Sequence, residues 1–212
     1  MTGRCEERHA LPPPHLRAAA ARAFVHQPAT VSFTTIGTIH SAWTWREEAP
    51  RQGQVLDSGA VIALRPGLQN LLKDLDGFSP LWVIAWFHRS NGWNHQVVPP
   101  RDRVKRGLFA TRSPDRPAAI GLTCVELVGI LGTRLWIRGH DLLDGTPVLD
   151  LKPYIPAYDA FPEAKAGWVD ALGAPGPDHR QSPGEAARRR ERRQARPLVA
   201  GQPREPTKNG PR

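Results

Sequence analysis

The stretch Gly107-Leu-Phe-Ala-Thr-Arg-Ser-Pro-Asp-Arg-Pro-Ala-Ala-Ile-Gly-Leu-Thr-Cys-Val-Glu-Leu-Val-Gly-Ile130, resumed at Asp141-Leu-Leu-Asp-Gly-Thr-Pro-Val-Leu-Asp-Leu-Lys-Pro-Tyr154, decides the fold. It contains two polar loops, residues 110–117 and 141–147, each followed by a strand-like run. Ile120 to Ile130 is rich in Leu, Val and Ile, with Gly near either end. From Val148 to Tyr154 the alternation sets Leu149 and Leu151 on one side of a strand and Asp150, Lys152 and Tyr154 on the other. Pro114 and Pro117 fix φ through the first loop and remove two backbone donors, so Arg112 and Arg116 are displayed from a stiff support. In the second loop Asp144-Gly145 is a turn signal, and Pro147 opens the next strand where a proline is tolerated. Two stiff, charged loops at the ends of strands read as a binding site. Tight turns with incidental charge are the other reading.

Outward from this centre the β pattern repeats. A β-rich run begins near Thr30 and ends at Ile39-His40, and Ser58 to Arg65 reads as a second strand. Leu68, Leu71, Leu72 and Leu75 are spaced as one face of a two-turn amphipathic helix stopped by Gly77. Leu81 to His88 is apolar on both faces, as a central strand is, with Trp82, Ile84, Trp86 and His88 projecting to one side. Leu108 to Arg112 and Arg134 to Gly139 supply further strands, and Ala164, Trp168 and Leu172 share a face of a second short helix. About seven strands with one or two short helices make the chain all-β, a barrel or a sandwich. The expected organisation is an extension over residues 1–29, a folded domain over 30–172, and an Arg-rich tail over 173–212 that is disordered unless bound.

Composition narrows the function classes. At 212 residues and 40% apolar the chain can bury one good core. No run of eighteen apolar residues exists, so no membrane span is expected, and the start lacks the apolar stretch of a secretory signal. Cys5 and Cys124 are too few for a disulfide framework, which points to free thiols and a cytoplasmic, reducing setting. The net charge is +9, and from His179 to Arg212 ten Lys and Arg stand against three acidic residues, so most of that charge lies in the tail. Such a tail suits a polyanion such as RNA, or is simply solvated. Neither the glycine fingerprint of a dinucleotide fold nor a phosphate-cradling loop with Lys is present, and the eight histidines do not fall at metal-ligand spacing. No metal is expected, and any cofactor must be held by loops on a β scaffold.

Five blocks then carry a resemblance: Ile36-Gly-Thr-Ile-His-Ser41, Pro50-Arg51-Gln52-Gly53, Leu81-Trp-Val-Ile-Ala-Trp-Phe-His-Arg89, residues 107–117, and residues 142–154. In this order, from about Ile36 to Trp168, they resemble the TsaA-like, or TrmO, family. The resemblance implies a small β-barrel that binds S-adenosylmethionine without a wound nucleotide fold and works as a homodimer. It implies methyl transfer to the exocyclic N6 of threonylcarbamoyl-adenosine beside the anticodon of tRNA. By the same resemblance Pro50, Arg51, Gln52, His88, Arg89, Arg112, Leu142, Leu143, Asp144 and Gly145 contact the cofactor. Arg116, Asp150, Lys152 and Tyr154 are the corresponding candidates for the acceptor. His88 can equally be read as a buried histidine at a strand end, Gln52 as a turn residue, and Lys152 as the structural partner of Asp150. The sequence does not identify the group that takes the amine's proton. The chain departs from the family at Arg116-Pro-Ala-Ala-Ile-Gly121, where members commonly read Arg-Pro-Asn-Pro-Ile-Gly, and this departure is expected to alter the loop. By the same resemblance, the Arg-rich tail is expected to stand where longer bacterial members have a C-terminal domain. A barrel that binds the cofactor or RNA without catalysis, or methylates another small molecule or RNA, is the alternative.

Overall fold

The computed structural model describes Pro13, residues 30–50 and residues 58–172. The chain divides into two units, Met1–Phe33 and Thr34–Arg212. All regular secondary structure among the described residues belongs to the second unit. The expected extension (but for Pro13), the expected tail, Cys5, Arg51 and Gln52 lie outside the described residues.

Eight strands occur among the described residues, in order: β1 Gly37–Ser41, β2 Gly59–Leu64, β3 Leu81–Trp86, β4 Gln96–Val97, β5 Arg106–Gly107, β6 Ile120–Leu131, β7 Arg134–Arg138 and β8 Pro147–Pro153. Six of them close an antiparallel barrel in the order β1-β2-β7-β6-β3-β8, while β4 and β5 form a separate ribbon. The all-β reading is therefore resolved as a closed barrel. Alternation decides which side chains enter it: Ile62 of β2, Leu81 and Val83 of β3, Val125 of β6, Leu135 and Ile137 of β7 and Val148 of β8 meet Ile39 and Leu142 in one core. Trp82, Ile84 and Trp86 point outward, in register with Cys124, Leu122 and Ile120 of β6. Closure at the β1–β8 seam rests on two residue pairs, Gly37 with Val148 and Thr38 with Pro147. Three flanking backbone bonds extend it, with Ile36 N donating to Val148 O, Ile39 N to Thr146 O and Gly145 N to Ile39 O.

Several local expectations change. β1 begins at Gly37, and residues 30–36 are irregular. In β8, Ile84 pairs with Asp150 but Ala85 pairs with Val148, so Leu149 is a bulge. The inward residues are consequently Val148 and Leu151 rather than Leu149 and Leu151. The expected helix at 68–75 is one 3-10 turn, Gln69–Leu72; Leu72 is buried but Leu71 is 75% exposed. With no side-chain cap at Leu68, so short a segment does not offset the cost of nucleating a helix. Leu108 to Arg112 is not a strand either: after the ribbon ends, Thr111 N and Oγ1 both donate to Leu108 O and close a turn. At the C-terminal side a one-turn helix, Pro156–Asp159, precedes a 3-10 segment, Gly167–Leu172. Trp168 of that segment donates Nε1–H to Ala110 O at 2.8 Å.

Two contacts leave no room for a side chain. A Cβ on Gly37 would stand 2.5 Å from Ala63 O across the β1–β2 pair, and one on Gly121 would overlap the ring of Phe87. His140 is fully buried just before the second loop: Leu142 N–H donates to its Nδ1 at 3.2 Å, and Ser58 Oγ donates to its backbone O at 2.9 Å. The proton is therefore on Nε2, which donates to Gly59 O at 3.3 Å. Burial pushes the His140 pKa below 6.5, outweighing its backbone bonds and the nearby Asp141 charge.

Gly37→Ala is expected to lower stability by about 1–3 kcal/mol in chemical denaturation, because backbone must move to admit the methyl. His140 binds its proton more weakly in the folded chain than in the unfolded one, so its contribution is fully present above about pH 6.5 and is lost as pH falls below that. Denaturation curves from pH 7.5 to 5 are expected to show wild-type stability falling. His140→Gln, less stable at pH 7.5, is expected to lose less over the same range.

Candidate functional site

The loops that follow β1, β3 and β7 gather at one end of the barrel, because β8 starts beside the end of β3 and the residues after β1 pair with the second loop through Asp144 N to Trp43 O at 2.8 Å. The buried carboxylate of Asp115, in the loop before β6, ties the first two of these together. It accepts from Arg46 Nη1 at 2.8 Å, Ser90 Oγ at 3.3 Å and Asn91 N at 3.3 Å, so one side chain joins three segments. Arg89 strengthens the frame, donating through Nη1 to Thr44 O with its guanidinium 5.8 Å over the Trp45 ring. Arg116 does the same for its own loop, donating to Thr111 O at 2.8 Å and lying 5.4 Å over Phe109.

These loops enclose a cleft of ≈ 830 Å³. Its lining includes Pro50, His88, Arg89, Arg112, Arg116, Asp141, Leu142 and Leu143, and it continues across the outer face over Trp82, Leu122, Cys124 and Tyr154. Tyr154 stands 5.5 Å from the Trp82 ring. Asp141 accepts from Thr123 Oγ1 at 2.8 Å. Burial holds the Asp141 pKa above the usual carboxylate range, opposed by the Thr123 bond, its own backbone, His140 and the Arg112 charge. His88 is pushed down, by burial first and then by the Arg89 charge, and so is neutral at pH 7. Its Nδ1 is buried with no hydrogen-bond partner, as is Trp43 Nε1. A partly desolvated carboxyl beside a guanidinium can take up a proton and share it with Thr123.

Of the residues singled out in the sequence, the cleft brings together Pro50, His88, Arg89, Arg112, Arg116, Leu142, Leu143 and Tyr154. It does not include Asp144 or Gly145. The Asp144 carboxylate turns to the far side of its loop, accepting from Ser41 N at 3.2 Å with His40 Nδ1 at 3.8 Å. Asp150 and Lys152 pair with each other at 2.7 Å on the exposed face of β8. Asp141, Thr123, Asp115, Ser90 and Arg46 were not singled out. Asp141 adjoins Leu142 and Asp115 lies inside residues 107–117, so the signal for both was their place in the motif blocks. The Ala118-Ala119 departure forms a left-handed turn: Ala119 has φ +46° and its N–H donates to Arg116 O at 3.2 Å. A proline, with φ near −65° and no N–H, does not fit this backbone. Among the described residues no group of three or more His, Cys, Asp or Glu could hold a metal ion.

Comparison with known proteins matches this architecture. A family model described as the tRNA-methyltransferase O N-terminal domain matches residues 38–160. An Archaeoglobus fulgidus protein described as a probable S-adenosyl-L-methionine-binding protein is 40% identical over 140 residues, 66% of this chain and 38% of that protein. A Mus musculus tRNA (adenine(37)-N6)-methyltransferase is 40% identical over 133 residues, 59% of this chain and 31% of that one. Both are therefore much longer than the part matched. The crystal structure of TrmO from Pseudomonas aeruginosa superimposes with a TM-score of 0.58 at 38% identity, covering 70% of this chain and 66% of that chain. With the family model spanning more than half of its residues, the chain belongs to the family of the tRNA-methyltransferase O N-terminal domain.

Proposed function

We propose that this chain is an S-adenosylmethionine-dependent methyltransferase acting in the cytoplasm on N6 of adenosine 37 of tRNA, with the threonylcarbamoyl-modified adenosine as its acceptor. The observation that carries the reading is the cleft, whose lining brings Arg112, neutral His88, apolar Leu143 and Asp141 together in a member of this family. The set fits the cofactor's chemistry. Arg112 suits its carboxylate, neutral His88 a hydroxyl or ring nitrogen, and Leu143 a face of its base. S-adenosylmethionine supplies a methyl group already activated on a sulfonium centre. The protein's part is to align the acceptor and receive a proton. Asp141 is the group proposed to receive it, at Oδ2, because its raised pKa keeps it basic enough to matter while Thr123 holds Oδ1.

The outer wall of β3 and β6 supports a homodimer. Trp86, Ile120 and Leu122 are exposed there, Leu122 at 59%, and form an apolar face continuous with the cleft. A second copy on this face would shield it and narrow the cleft opening.

Calorimetry is expected to show saturable S-adenosylmethionine binding, weakened roughly 10- to 100-fold by Arg112→Ala; no binding by the wild type would overturn the proposal. Labelled methyl is expected to enter threonylcarbamoyl-modified tRNA and not tRNA lacking that group. Asp141→Asn is expected to lower kcat roughly 10²–10⁴-fold while leaving cofactor affinity nearly unchanged. Light scattering is expected to find a dimer, and Leu122→Glu a monomer.

A further inference from the structure

The segment between the ribbon and the cleft has a charge pattern unlike the rest of the barrel. Residues 101–116 hold six Lys and Arg and two acidic residues, whereas residues 117–172 hold four and seven. Both acids of the segment are already engaged: Asp102 with Arg106 at 2.7 Å and Asp115 with Arg46. The positive charge of Arg103 and Lys105 is set at an exposed tip, flanking exposed Val104. Two cation–ring contacts belong to the same segment, Arg106 over Trp168 at 5.2 Å and Arg116 over Phe109 at 5.4 Å. Trp168 is bonded to Ala110 and Arg116 to Thr111, so the tip, both rings and Arg112 form one strip that runs into the cleft.

Phe109 is 79% exposed. It stabilises nothing by burial, and a phenyl face kept in water beside a guanidinium is a platform for another planar group. Cations at an exposed tip, a ring face midway and a cleft at the end match a single-stranded RNA loop. Its phosphates meet the cations, a base stacks on the ring, and the neighbouring base is turned out of the stack. An acidic peptide would use the cations but has no general use for the ring.

We infer that residues 103–116 are the RNA landing strip of this protein, with Phe109 stacking the base that flanks the one entering the cleft. This rests on the methyltransferase reading above. It adds the surface by which the acceptor arrives, assigned to the barrel itself and not to the Arg-rich tail.

The test uses the full chain and a fluorescently labelled tRNA anticodon stem-loop, titrated at several KCl concentrations, with cofactor calorimetry and methyl transfer measured in parallel. Phe109→Ala is expected to weaken RNA binding roughly 5- to 100-fold at an unchanged salt slope, and Phe109→Trp to keep wild-type affinity. Arg103→Ala with Lys105→Ala is expected to reduce the slope of log K against log salt by about 1.5, near 0.7 per lost single-strand phosphate contact. Phe109→Trp, which keeps a ring under Arg116, and Arg103→Ala with Lys105→Ala are expected to bind S-adenosylmethionine as the wild type does. If the wild type methylates tRNA while these variants bind RNA within about twofold of it, the strip is overturned and the activity stands. If the variants lose RNA affinity but the wild type neither binds the cofactor nor transfers methyl, the activity is overturned and the strip stands. A wild type that binds no RNA overturns both.

Discussion

One carboxylate holds the working end of this molecule together. Asp115 is nearly enclosed and joins its own loop to two others, taking hydrogen bonds from Arg46 after β1 and from Ser90 and Asn91 after β3. A buried charge is tolerated only when its partners are present, and deleting one side of such a pair typically costs about 3–5 kcal/mol. The three loops therefore adopt their arrangement jointly. Arg89 and Arg116 add donors to backbone carbonyls of the same loops. Arginines that look like ligand contacts in sequence are here partly occupied with positioning their neighbours. Arg112 is exposed, and its charge favours the ionised form of Asp141.

The barrel was legible wherever period-two alternation was clean. In β2 and β7 the small and branched residues at alternate positions are the ones that enter the core. Legibility failed where a residue's partner lies far along the chain. Nothing local in Val148 to Tyr154 reveals that Leu149 is skipped by the register of β3, since a bulge belongs to a pair of strands and not to one. The leucine spacing at 68–75 had the period of a helix, but too little length and no cap, so Leu71 is left in solvent.

The site was legible as blocks but not as directions. Leu142 enters the core and Leu143 lines the cleft, yet Asp144, the next residue, accepts from Ser41 on the other side of the loop. The tight turn at Gly145, with φ +74°, reverses the chain there and sends adjacent side chains opposite ways. Asp141 was passed over because an aspartate before a leucine pair carries no signal by itself. Its character comes from Thr123 on β6 and from burial, neither of which is local. The sequence pattern names the loop, and the packing of β6 against β7 selects the atom.

The narrow seam between β1 and β8 ties occupancy to closure. Its flanking bonds run through Thr146 and Gly145, only a few residues from Leu142 and Leu143 in the cleft wall. A molecule resting on Leu143 would restrain the same short backbone segment that zips the cylinder shut. Its binding free energy then counters local unzipping as well as dissociation, and the two equilibria share one thermodynamic cycle. The amide protons of Ile39 and Gly145 are thereby natural reporters of whether the cleft is filled, since their exchange with solvent slows as the seam is held.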